Sequence, residues 1–112
     1  MDDLKTTGEP RQFETGAQRD SGEGKLRMSL VPHKALELVM MRYLQGAEAY
    51  NENNWKLGMK HSVLYDSTMR HLMQDFKGDA SEDHLGAVLW NVMGMIWNRD
   101  NKPELDDRKD YE

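Results

Sequence analysis

Large apolar side chains return every three or four residues in three separate stretches of this chain, and that period commits it to α-helix. The first stretch carries Leu36, Val39, Met40, Tyr43, Leu44 and Ala47; Pro32 suits a first helical turn, so the predicted helix runs from about Pro32 to Tyr50. The segment NENNWKLGMK that follows is rich in turn residues, and Trp55 is expected to fold back onto the core. A second helix is predicted from about Ser62 to Phe76, with Tyr65, Met69, Leu72, Met73 and Phe76 inward and Gly78 as its stop. Ser81 is placed to cap a third helix, whose first turn holds Glu82 and Asp83 and whose buried side reads Leu85, Val88, Leu89, Val92 and Ile96. The fold class is therefore all-α, a three-helix core over residues 32–98.

The ends of the chain read differently. Residues 1–31 hold four glycines and a proline among charged groups, so an extended arm is expected there. After Asn98 the sequence RDNKPELDDRKDYE is acidic and polar, and a frayed tail is expected over 99–112. A thin core, nine methionines, and the spare groups Trp90, Met93, Met95 and Trp97 on the third helix point to burial by a second copy, hence a homo-oligomer packed as a helical bundle, the alternative being that they pack on the first helix or the arm of the same chain. Without cysteine, neither a disulfide framework nor a thiolate metal site is possible; carboxylate and imidazole donors favour Mg2+, Mn2+ or Ca2+. A net charge of -5 argues against direct nucleic-acid binding. The first residues lack the pattern of a signal peptide and no apolar run is long enough to span a bilayer, so a cytoplasmic location is expected, with no membrane partner.

Three polar constellations could carry chemistry. On the third helix Asp83, His84 and Asn91 lie along neighbouring lines of an otherwise apolar surface, and polar groups buried there must be paired. The second helix offers Arg70 and His71, with Asp75 four residues beyond His71 and able to orient it. Glu48, near the end of the first helix, could join Asp83 in supplying oxygen ligands to Mg2+. In the arm Arg19, Lys25 and Arg27 surround TGAQRDSGEGK, which has cations and glycines suited to a phosphate but not the order of a P-loop. No Gly-x-Ser-x-Gly, cysteine nucleophile or HExxH occurs, which removes acyl-transfer and zincin chemistries.

Read in order, FETGAQRDSGEGKLRMSLVP, YLQGAEAYNENNW and STMRHLMQDFKGDASEDHLGAVLWN resemble the phage and prophage family of dATP/dGTP diphosphohydrolase N-terminal domains. The likeness spans roughly Phe13 to Ile96. It implies a helical unit akin to the MazG-like nucleoside triphosphate pyrophosphohydrolases, which assemble as oligomers and use Mg2+ to release pyrophosphate from a nucleoside triphosphate. On that resemblance, Glu48 and Asp83 would hold Mg2+ (Mn2+ as substitute) and His71 and His84 would orient or deprotonate the attacking water. Asn91, Arg70, Trp55, Arg19, Lys25 and Arg27 would contact a purine deoxynucleoside triphosphate, in the host cytoplasm if the chain is phage-encoded. The dense EExxE of MazG-like enzymes is absent, so a nucleotide-sequestering protein without turnover, or a helical accessory protein, stands as the alternative.

Overall fold

The computed structural model describes residues 8–112; the start of the expected arm, residues 1–7, lies outside the described residues. The chain divides into two compact units, one ending at Pro32 and the other covering His33–Glu112. In the first, two-residue strands β1 (Arg11–Gln12) and β2 (Gln18–Arg19) pair antiparallel, Arg11 opposite Arg19. The turn between them needs Gly16, whose φ of 89° lies in the left-handed region, and it is closed by the Phe13 N–H donating to the Ala17 carbonyl. Where an extended arm was expected there is thus a short hairpin, followed by a 3-10 turn at Met28–Leu30.

The second unit holds α1 (His33–Ala49), α2 (His61–Phe76) and α3 (His84–Asn101), so the protein is all-α as its sequence period requires. α3 is the middle element, packed along α2 on one side and α1 on the other. Gly78 stops α2 as predicted. With φ at 83° it lets its own N–H reach the Asp75 carbonyl and the Asp79 N–H reach the Gln74 carbonyl, the paired bonds of a Schellman turn. The cap of α3 is Asp83 rather than Ser81: the Asp83 carboxylate accepts the Gly86 N–H at 3.1 Å, while Ser81 is turned onto Asp79. A Cβ at Gly86 would overlap Asp83 Oδ2, so a larger residue there displaces the capping carboxylate.

The seam between α2 and α3 departs from the amphipathic prediction. Leu64 and Thr68 of α2 and His84, Gly86, Ala87, Asn91 and Asn98 of α3 are buried, whereas the predicted inward residues Tyr65, Met69, Leu72, Met73, Phe76, Leu85, Leu89, Val92 and Ile96 are exposed. Small side chains let the two helices approach closely, and the polar ones are paired across the seam: Asn91 Nδ2 donates to Ser67 Oγ at 3.1 Å, and Asn98 Nδ2 to the Met59 carbonyl at 2.7 Å. On the α1 side Tyr43, Trp55 and Trp97 form an edge-to-face ring cluster, so Trp55 does fold back as expected.

The expected frayed tail is also corrected. α3 continues to Asn101, and two 3-10 turns follow at Pro103–Leu105 and Arg108–Tyr111. Asp107 caps α2 from a distance: its carboxylate accepts the Ser62 N–H at 2.9 Å and the Ser62 hydroxyl at 2.5 Å, serving a helix start that has no side-chain cap of its own. Those bonds hold its pKa below the ordinary carboxylate value. Among the described residues, no helix is long and apolar enough to cross a membrane.

Candidate functional site

Because α3 lies between its neighbours, α1 and α2 stand as walls over it. A cavity of about 340 Å³ opens there, floored by Ala87, Trp90 and Asn91 of α3. Arg42, Gln45, Gly46, Ala49 and Tyr50 line it from α1, Ser67 and His71 from α2, and Asn54 and Met59 from the connection. A second cavity, of about 350 Å³, lies near the start of α2 and the end of α3, between Ile96, Arg99 and Arg108. The first is the candidate site, since it alone of the two is lined by a member of the histidine cluster described next.

At one end of that cavity His71 Nδ1 lies 2.8 Å from His84 Nδ1, and His84 Nε2 lies 2.6 Å from Asp79 Oδ2. The Schellman turn at Gly78 delivers Asp79 to this place, and the α3 cap at Asp83 sets His84 in the first turn, where it is 5% exposed. The hydrogen bonds from His84 and then from Ser81 hold the Asp79 carboxyl below its ordinary pKa, so it is ionised and can only accept. His84 Nε2 therefore carries the proton of that bond. A neutral His84 then accepts at Nδ1, His71 donates from its own Nδ1, and His71 Nε2 keeps a lone pair. Burial, partly offset by Glu82, pushes the His71 pKa down and favours this neutral form.

Glu82 completes the group. Its Oε1 lies 3.9 Å from His71 Nδ1 and accepts from Arg42 Nη2 at 2.9 Å, and the same nitrogen donates to the Asp83 carbonyl at 2.7 Å. Arg42 thus ties α1 to the start of α3, and its hydrogen bond keeps the Glu82 carboxyl below its usual pKa. Among the described residues, His71, Glu82 and His84 are the one set of three side chains whose possible metal-ligand atoms all fall within 4.8 Å of one another.

Of the predicted site residues, the fold joins His71 to His84 and places Asn91 in the cavity floor. Asp83 is beside them, but its carboxylate serves the helix cap. Glu48 is exposed near the end of α1 and belongs neither to the cavity lining nor to the three-ligand set. Arg70 lies on the outer side of α2 with Asp66, Met69 and Met73. Trp55 sits in the ring cluster with Lys56 over its face, and Arg19, Lys25 and Arg27 belong to the first unit. The partner expected for His71, Asp75, is replaced by His84, and the orienting carboxylate is Asp79. Asp79 and Arg42 stand outside the three constellations of the sequence, and Glu82 enters there only with Asp83 in the first turn of the third helix. A glycine stop followed at once by an acid, five residues ahead of a histidine, was the available signal for Asp79.

The family model described as dATP/dGTP diphosphohydrolase, N-terminal, matches residues 15–108. The chain belongs to this family. The match runs through the whole of α1, α2 and α3, so the cavity and the histidine cluster lie inside the matched region. No curated protein and no solved structure matches the chain.

Proposed function

We propose that the cavity between α1 and α2 receives a purine deoxynucleoside triphosphate and that the histidine cluster at its end promotes hydrolysis to the monophosphate and pyrophosphate. The observation that carries this reading is that His71, a wall of the cavity, is hydrogen-bonded into the line Asp79–His84–His71. An imidazole held this way has its tautomer fixed, and His71 Nε2 can take the proton of an attacking water. Trp90 and Tyr50 offer aromatic faces to a purine, Asn91 and Gln45 offer amides, and Arg42 brings positive charge to the end where His71 stands. The volume lies at the lower end of the range of ligand sites, about 300–1,000 Å³. The exposed apolar faces of α2 and α3 suit a second copy of the chain, which sedimentation would detect.

The resemblance also implies Mg2+ at Glu48 and Asp83. The residues do not fit it: Glu48 is exposed outside the cluster, Asp83 caps α3, and among the described residues no third ligand atom joins them. No step is assigned to Mg2+.

Phosphorus NMR of dGTP and dATP incubated with the protein is the test. Wild type is expected to yield monophosphate and pyrophosphate, with the rate for H71A lower by about 100-fold or more, the usual range for a positioned acid–base group. Full turnover by H71A would remove the cluster from the chemistry. That the family is described as an N-terminal domain favours a second reading, in which this chain binds the nucleotide without cleaving it. Calorimetric binding with the ligand recovered intact would select that reading.

A further inference from the structure

We propose that His71, Glu82 and His84 form a binding site for one divalent first-row transition ion, such as Co2+, Mn2+ or Zn2+. Their candidate ligand atoms lie within 4.8 Å of one another, with His71 Nδ1 2.8 Å from His84 Nδ1 and 3.9 Å from Glu82 Oε1. Donors placed about 2.0–2.2 Å from a common ion lie about 3–3.5 Å apart, so each atom needs to move by less than about 1 Å. His71 comes from α2, His84 from the first turn of α3 and Glu82 from the connection between them, which is fixed at one end by the Gly78 turn and at the other by the Asp83 cap.

The surroundings are those of a built site. His84 presents Nδ1 to the centre while Nε2 is bonded to Asp79, the carboxylate–histidine arrangement that orients a metal ligand and raises its basicity. Glu82 is oriented by Arg42, whose Nη2 is held in turn by the Asp83 carbonyl. Two imidazoles and one carboxylate are a donor set for transition ions and a poor one for Mg2+, which takes oxygens almost exclusively. Three protein ligands also leave coordination positions open, and His71 borders the cavity.

The ion and the His71 proton compete for one place. In the ion-free cluster that proton lies between the two Nδ1 atoms; on metal binding it moves to His71 Nε2, and both Nδ1 lone pairs turn to the ion. Nothing is oxidised or reduced. With the ion bound, His71 Nε2 carries a proton and cannot take one from water, so metal occupancy and the base role of His71 exclude each other; the ion site is tested with metal and no nucleotide.

The experiment is titration of the full chain with Co2+, followed by its visible absorption, by calorimetry and by the paramagnetic shifts of the histidine ring protons. One equivalent is expected to bind, to shift the His71 and His84 rings, and to withstand a large excess of Mg2+. E82Q alters an exposed side chain just ahead of the α3 cap; with circular dichroism expected to match wild type, it is expected to weaken binding at least tenfold. D79N is expected to weaken it by about 10–100-fold, while H61A, outside the cluster, leaves it unchanged. Absence of Co2+ binding by wild type, or the same stoichiometry and affinity in E82Q and H71A, would overturn the site.

Discussion

Replacing His84 with alanine tests whether the α2–α3 seam depends on its polar contents. The imidazole is 5% exposed, and each ring nitrogen has one partner, His71 from α2 and Asp79 from the turn. Truncation removes two hydrogen bonds, each of net worth about 1 kcal/mol, and opens a cavity under the start of α3. His71 and Asp79 are partly open to water and recover some solvation, which limits the loss. The sum is about 2–3 kcal/mol, equivalent to a fall of about 10–20 °C in Tm for a domain of this size. Urea denaturation with the slope compared between variants, together with a thermal scan, measures it. His84→Phe keeps the volume but not the bonds, and is expected to fall between wild type and His84→Ala. A His84→Ala protein within about 0.5 kcal/mol of wild type would refute the view that this cluster joins the two helices.

Other perturbations separate the parts of the account. Asp107→Asn is expected to lower Tm at pH 7 and to flatten the acid limb of the stability curve. The Ser62 bonds lower the Asp107 pKa, so the native form is favoured above the ordinary carboxylate value near 4 and loses that advantage as pH falls through the folded-state pKa. Gly58→Ala should destabilise by about 1–2 kcal/mol in thermal unfolding, since φ is 80° and the new Cβ would lie 2.6 Å from Leu105 Cδ1. Asn91→Leu should raise the KM for dGTP about tenfold or more while the fold persists, measured by initial rates, because an amide in the cavity floor is lost. Glu48→Gln should leave turnover within about twofold of wild type, since this side chain stands outside the cavity and the cluster.

Helix positions were legible because they depend on local signals. The apolar period, Pro32 and Gly78 fix where α1 and α2 run, and the glycine turn forms as its residue type requires. Which face of a helix is buried depends on the neighbour. Met69, Leu72 and Phe76 read as core by size, yet the structure buries Thr68, Ala87 and Asn91 instead, since small side chains permit close approach and their polar atoms are paired, Thr68 with the Leu64 carbonyl of its own helix and Asn91 with Ser67 across the seam. The same limit applied to the site. His71, His84 and Asn91 could be picked out by residue type, whereas Asp79 and Arg42 gain their roles only from the turn and from the packing of α1 on α3. The Asp107 cap joins residues 45 apart in sequence, beyond the reach of any local pattern.

The central claim is that nucleotide occupies the cavity between α1 and α2, and backbone amide shifts on titration with dGTP locate it directly. The account predicts shifts concentrated at Gln45, Gly46, Ala49, Ser67, Ala87 and Asn91, with the His71 ring protons moving in the same titration. Shifts centred instead on His61, Arg99 and Arg108, around the other cavity, or no shifts at saturating dGTP, would contradict it.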